Sequence, residues 1–192
     1  RHSFPTRRSS DLRARQRLSA TTVSDVKEWI GSGYAQTGVH LTEWARVTIG
    51  ARFDVYDFDV RNRSDAGTGP ANSGTASDTL FSPKFALVLG PFAKTELFFN
   101  AGQGFHSNDA RGTVQTRDPR DCDPQLGCAA VDPVSPLVPA VGFDLGLRTA
   151  IIPKVQLAFS LFTLSSDSEL VYVGDAGTTE ASGGSRRIGG EL

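Results

Sequence analysis

The sequence predicts an all-β chain, an antiparallel transmembrane β-barrel segment of about seven strands. Three observations predict it. Apolar and polar residues alternate with period two in one run after another. Several of these runs reach the roughly 9–11 residues that a tilted membrane-spanning strand needs, where soluble strands usually have about 5–6. The connections between the runs alternate short and long.

Composition bounds the reading first. The chain has 192 residues, 20 Lys+Arg against 21 Asp+Glu, 39% apolar residues, 20 Gly, 10 Pro, two Cys and no Met. The length suits one domain or a piece of one, and the absence of any Met points to a fragment of something longer. A net charge of −1 argues against a nucleic-acid binder, which would carry a basic face. No uninterrupted apolar stretch is long enough for a transmembrane helix, and no charged n-region with an apolar h-region marks a signal peptide. High Gly and modest apolar content remain compatible with a barrel, whose strands turn half their side chains to a polar interior.

The opening segment stands apart. His2-Ser-Phe-Pro-Thr-Arg-Arg-Ser-Ser-Asp-Leu12 has no apolar periodicity. It resembles the translation of a sequencing-library adapter, and so residues 1–12 read as an artefact to be set aside. The alternative is a basic arm that touches phosphates. Residues 1–12 carry a net +2, which leaves −3 for the rest, with His40 and His106 as its histidines. Residues 13–25 read as a loop leading into the barrel, which occupies 26–192.

The elements follow in order. Gly33–Leu41 sets Ala35, Val39 and Leu41 against Tyr34, Gln36 and His40. Arg46–Val55 is the clearest run: Val47, Ile49, Ala51, Phe53 and Val55 against Arg46, Thr48, Gly50, Arg52 and Asp54. Phe85, Leu87 and Leu89 begin a shorter strand. Thr95–His106 sets Leu97, Phe99, Ala101 and Phe105 against Glu96, Asn100, Gly102, Gly104 and His106, with Gln103 and Phe98 as the exceptions. Val141–Thr149 and Val155–Thr163 repeat the pattern, and a last strand stops at Leu192. Successive side chains of a strand point to opposite faces, so each run presents one apolar face.

Thr42–Trp44, Pro91–Lys94 and Pro153–Lys154 read as tight turns. Arg61–Thr79, Ser107–Pro139 and Gly174–Arg186 read as long polar loops. A sandwich has no reason to send every second connection far into solvent, whereas outer-membrane barrels pair short periplasmic turns with long outer loops. Trp44 and Phe92 near the short turns, and Tyr56, Phe58, Phe105 and Tyr172 near the long loops, fit two interfacial aromatic girdles. Hydrocarbon forces every backbone polar group to be paired, so the sheet must close, and seven strands are an arc of a larger barrel.

The stretches Asp78-Thr-Leu-Phe-Ser-Pro-Lys84, Gly90-Pro-Phe-Ala-Lys-Thr-Glu96, Asn100–Arg111 and Gly142-Phe-Asp-Leu-Gly-Leu-Arg148 resemble successive barrel strands of TonB-dependent outer-membrane receptors. So do Tyr34-Ala-Gln36, Thr48-Ile-Gly-Ala-Arg52 and the tract Asp167–Glu180 with Ser182–Glu191. Asp144 stands where that family usually has Glu. The resemblance covers roughly residues 26–192. It implies a barrel of roughly 22 strands, plugged by an N-terminal domain. It also implies energy-coupled uptake of a scarce nutrient (a metal chelate, cobamide or glycan) across the cell outer membrane of a Gram-negative bacterium. The implied partners are outer-membrane lipid, the chain's own plug domain, the TonB energy-coupling complex and an extracellular small-molecule ligand. The plug, the energy-coupling box and the final aromatic-ended strand are not in this sequence. A passive porin-like channel and a secreted carbohydrate-binding β-sandwich are the alternatives.

No catalytic pattern is present: no G-x-S-x-G elbow, no Walker loop, no H-E-x-x-H. Gly67, Gly69 and Gly74 sit in a polar loop without a following helix, which argues against a phosphate cradle. An enzyme, a cofactor and nucleic acid are therefore not expected. Cys122 and Cys128, close together in the longest loop, predict a disulfide, with free thiols or a metal site as alternatives. Asp118, Asp121, Asp123 and Asp132 lack EF-hand spacing for calcium. His106, Asn108, Asp109 and Arg111 end a strand at that loop and are the candidate ligand contacts. The competing reading has them hold neighbouring residues or the plug. Arg46, Arg52, Asp54, Glu96, Asp144 and Arg148 form a mixed row expected to neutralise itself.

Overall fold

The computed structural model describes residues 23–63, 72–123, 125–173 and 178–192. The expected artefact at 1–12, most of the lead-in at 13–25 and the Tyr172 side chain lie outside the described residues. Seven antiparallel strands form one sheet, and the barrel does not close within this chain. In sheet order they are β1 (Ser24–Thr42), β2 (Ala45–Asn62), β3 (Gly74–Phe92), β4 (Thr95–Ser107), β7 (Leu137–Thr149), β8 (Leu157–Ser166) and β11 (Ser185–Glu191). The connection after β4 carries a short helix, α1 (Ala110–Val114), and a hairpin of β5 (Arg117–Asp123) with β6 (Gly127–Ala130). The last long connection carries a hairpin of β9 (Glu169–Val173) with β10 (Thr178–Ser182).

Register explains how one face stays apolar across the sheet. From β1 to β8 each even-numbered residue of the regular ladder pairs with an even-numbered residue of its neighbour, so one parity holds one side. β11 pairs odd with even and brings Ile188 to the outward side. Outward-facing Ile49, Phe53, Leu97, Phe143, Leu145 and Leu161 are all exposed, with no protein layer over them. The inner side carries ion pairs and hydrogen bonds. Arg148 binds Glu96, its register partner, and Asn100 Nδ2 donates to Asp144 at 3.1 Å. Arg52 binds Asp54 two residues along the same strand, so four of the six charges of the mixed row are ion-paired, along or between strands, and among the described residues Arg46 and Asp144 are not.

Phe98 was an apolar exception on that polar face, and the register accounts for it. It pairs directly with Gly146, and its ring lies where a Gly146 side chain would be. Phe162 covers Gly189 in the same way, with ring atoms 2.6 Å from the position of a Cβ there. An aromatic ring laid over a cross-strand glycine buries apolar area that the glycine cannot.

The strand ends differ from the sequence expectation. β1, β2 and β3 have 19, 18 and 19 residues, so they run well past the length a membrane needs. β3 begins at Gly74 rather than near Phe85, because Thr75, Ser77 and Thr79 are small and polar and read as loop although they pair with β2. At the other end, Val155 and Gln156 belong to the turn rather than to β8. The tight β3–β4 turn sits on Ala93 and Lys94 with φ of 48° and 61°, the positive pair that a two-residue hairpin of right-handed twist requires. Among the described residues no helix is long and apolar enough to cross a membrane.

The girdle at the short-turn end is present as a Trp44–Phe92 pair, centroids 6.0 Å apart and both half exposed. The matching assignment of Tyr56 and Phe58 needs correction. Both are even-numbered and face inward, and Phe58 is only 2% exposed. Phe58, Val60, Ala110 and Val114 form a core cluster with Tyr56 and Ala76 against it. The overhanging part of β2 therefore turns apolar on its inner side, and α1 of the longest loop covers it.

Introducing a side chain at Gly146 strikes both the Phe98 ring and the Phe159 carbonyl. Gly146→Val in the full-length protein is expected to cost about 1–3 kcal/mol. Gly104→Ala, where a Cβ meets nothing within 4 Å, is expected to stay within about 0.5 kcal/mol. The urea midpoint of the folded-to-unfolded gel mobility shift reads both.

Candidate functional site

The long-loop end holds the candidate site, and its shape begins with a break in the sheet. The β3–β4 ladder runs from the short turn up to Lys84 and Gly102 and stops there. Pro83 is the next residue on β3, and it has no N–H to donate to a ladder. Beyond it β3 pairs with β2, while Gln103–Ser107 of β4 pairs with β7. Phe105 of that segment meets Tyr56 of β2 edge-on at 5.7 Å. Between them lies a cavity of about 810 Å³ on the inner face. Tyr34, Gln36, Arg52, Ser82, Lys84, Gln103 and His106 line it, with Gly50 and Gly104.

The Asp54 carboxylate, beside this lining, is already used. Asp54 is fully buried, accepts from Arg52 Nε at 2.8 and 2.9 Å and from Ser32 Oγ at 2.6 Å, and is thereby satisfied. No Asp or Glu lines the cavity itself.

Of the four candidate ligand contacts, the structure places His106 on the cavity and the other three in the framework of the loop. Asn108 is 5% exposed. Its Nδ2 donates to the Ser135 carbonyl at 2.7 Å and its backbone N–H to the Pro136 carbonyl at 2.9 Å, so it ties the start of the loop to its end. Asp109 is the N-cap of α1. Its carboxylate accepts from the Arg111 backbone N–H at 2.9 Å and from Arg111 Nε, and it is ion-paired to Arg111. The Arg111 side-chain hydrogen bonds hold the Asp109 carboxyl below its ordinary 3.8, against a smaller opposing effect of burial. The pair spends its charge on the cap.

Asn72 does a similar task that the sequence did not disclose. Its Oδ1 accepts from the Thr116 and Arg117 backbone N–H groups at 3.1 and 3.0 Å, and its Nδ2 donates to the Arg117 carbonyl at 2.9 Å. It ties the connection before β3 to the loop after α1. Cys122 and Cys128 face each other across the β5–β6 hairpin as a disulfide. Asp123 caps the turn between them, accepting from Gln125 and Leu126 backbone N–H groups at 2.7 and 2.8 Å, which lowers its carboxyl. Among the described residues no group of three His, Cys, Asp or Glu could hold a metal ion.

The sequence missed Tyr34, Ser82 and Lys84. The available signal was their even parity on the polar face together with the glycines beside them; what was missing was the break at Pro83.

The family model described as TonB dependent receptor-like, β-barrel, matches residues 3–192. This chain belongs to the TonB-dependent receptor family. Solved structures agree on the fold. The copper transporter OprC matches with a TM-score of 0.64 at 16% identity over 86% of this chain and 26% of that one. The alcaligin outer-membrane receptor FauA from Bordetella pertussis matches with 0.55 at 15% identity, over 87% and 27%. The chain thus spans about a quarter of the length of these relatives. No curated protein sequence matches it. TonB-dependent receptors are outer-membrane receptors and transporters of Gram-negative bacteria rather than enzymes. In this TonB-dependent receptor chain the inner face of the arc carries the cavity and the longest loop folds onto that face.

The Asp109 cap sets a pH window. Because its folded value is depressed, the stability it contributes is present above the ordinary carboxylate value and is lost as pH falls through the folded one. Asp109→Ala at pH 7 is expected to weaken α1 by about 1 kcal/mol, and acidification below about pH 4 to do the same to the wild type. Amide exchange at 110–114 in the full-length protein measures it. Unchanged protection in the variant contradicts the assignment.

Proposed function

We propose that this chain supplies wall and outer loops to an energy-coupled importer of the cell outer membrane. The short turns then face the periplasm and the long loops face outside. The reading includes the chain's own plug domain inside the barrel, the TonB energy-coupling complex as the source of work, and a scarce extracellular nutrient as cargo. A metal chelate, a cobamide or a glycan is the class. Family membership supports the coupling, and the names of the two solved relatives, a copper transporter and an alcaligin receptor, favour the metal-linked part of that range.

What carries the reading is the outward face. Leu97, Leu145, Leu147, Leu157, Phe159 and Leu161 form a continuous exposed band at the short-turn half of the sheet, and nothing among the described residues covers it. Such a band is stable against hydrocarbon and is a liability in water. The polar inner face with its paired charges suits a wet interior. His106, Asn108, Asp109 and Arg111 then divide: His106 faces the route of the cargo, and the other three with the Cys122–Cys128 pair keep the loop in shape over the mouth.

The test uses the native cell and its deletion strain. Radiolabelled ferric and cupric chelates, cyanocobalamin and maltodextrins are offered in turn at submicromolar concentration. Uptake of one of them is expected to saturate, to be lost in the deletion strain and to stop on adding a protonophore. Flux that rises linearly with concentration and ignores the protonophore makes the protein a passive channel and overturns the proposal.

A further inference from the structure

Of the charged side chains that line the cavity, Arg52 and Lys84, one is left without an opposite partner. Arg52 is held by Asp54, and Arg148 by Glu96. Lys84 has no ion-pair or hydrogen-bond partner among the described residues, and it is exposed to the cavity it lines. The register puts it in a row of small residues: its cross-strand partners are Gly50 on β2 and Gly102 on β4, and Gly102 is followed by Gly142 on β7.

Two further groups point the same way. Ser82, two residues along the same face, is 7% exposed, lines the cavity and leaves its hydroxyl without a hydrogen-bond partner. A buried polar group left unpaired is costly, so it is a place where a ligand oxygen is favoured. His106 lines the same cavity, and Gln36, Gln103 and Tyr34 add donors. The lining thus offers one unpaired cation and several neutral donors and no carboxylate; Asp144 lies in the adjoining cavity, which Lys84 also lines.

We propose that this cavity is an anion-binding subsite, with Lys84 as its charge and Ser82 and His106 as flanking contacts, for a carboxylate- or phosphate-bearing solute small enough for about 810 Å³. This rests on the importer reading and refines it by giving the cargo a charge. Lys84 supplies a mobile point charge with three donors, which tolerates different anionic shapes better than a rigid fork. An exposed ammonium acts through a high dielectric, so binding should weaken as salt rises.

The experiment uses the full-length receptor purified in detergent and the fluorescent trianion 8-hydroxypyrene-1,3,6-trisulfonate as probe, followed by anisotropy at low ionic strength. The wild type is expected to bind saturably, Lys84→Gln to weaken binding about tenfold, and Lys84→Arg to keep it within about threefold. Raising NaCl to about 0.5 M should remove most of the wild-type signal. A flat wild-type titration, as when a carboxylate of the protein itself occupies the site, overturns the proposal. So does equal binding by Lys84→Gln. A heat-modifiable gel shift on the same samples keeps the two readings apart: if all variants shift and none binds, the subsite fails and the barrel stands, whereas loss of the shift in the wild type removes the importer reading as well.

Discussion

The structure depends on one constraint: in hydrocarbon no backbone N–H or C=O can be left without a partner, and a charged side chain is costly on the outward face. The ladder answers the first half. The parity of its registers answers the second, because even-to-even pairing from β1 to β8 lets a single alternation in each strand place every outward residue of the ladder on one side. A shift of one residue between any two of these strands would turn an entire apolar set toward the interior. The inward Phe98–Gly146 and Phe162–Gly189 pairs and the Glu96–Arg148 ion pair all sit on register partners and help to hold that alignment.

Where the membrane ends, the constraint relaxes, and the chain uses the freedom. β1–β3 continue outward, and the inner side of β2 becomes apolar at Tyr56, Phe58 and Val60. Those residues form a small core with α1. The β3–β4 ladder breaks after Lys84 and Gly102, short of that end, since Phe53 and its partner Phe81 beyond the break still face outward and are exposed. The helix and the stapled hairpin occur in that zone, and the cavity reaches from it down to the break. Asn72 and Asn108 make that zone ordered by hydrogen-bonding across loop ends.

The middle of each strand was legible in the sequence because the two-residue period is a property of the extended backbone itself. Arg46–Val55 and Val141–Thr149 read directly. The ends were not legible, for a physical reason: outside the bilayer the face rule no longer holds, so Tyr56 and Phe58 looked like interfacial rings and Gly74–Thr79 looked like loop. Phe98 looked anomalous because its explanation is a glycine 48 positions away on a neighbouring strand. The candidate site was legible in part. His106 faces the cavity, as its parity suggests. Asn108, Asp109 and Arg111 have the residue types of ligand contacts, yet the same chemistry makes them good caps and loop ties, and only the fold decides between these uses. Lys84 went unnoticed because its significance is the absence of neighbours.

The central claim is that the odd-numbered face of β7 touches lipid and the even-numbered face touches water. Single nitroxide labels at positions 142–147 of the full-length receptor in lipid bilayers test it most directly. Collision with dissolved oxygen should peak at 143, 145 and 147, and collision with a water-soluble nickel chelate should peak at 142, 144 and 146. The reverse alternation, or odd positions shielded from both reagents as in a water-soluble core, would contradict the account.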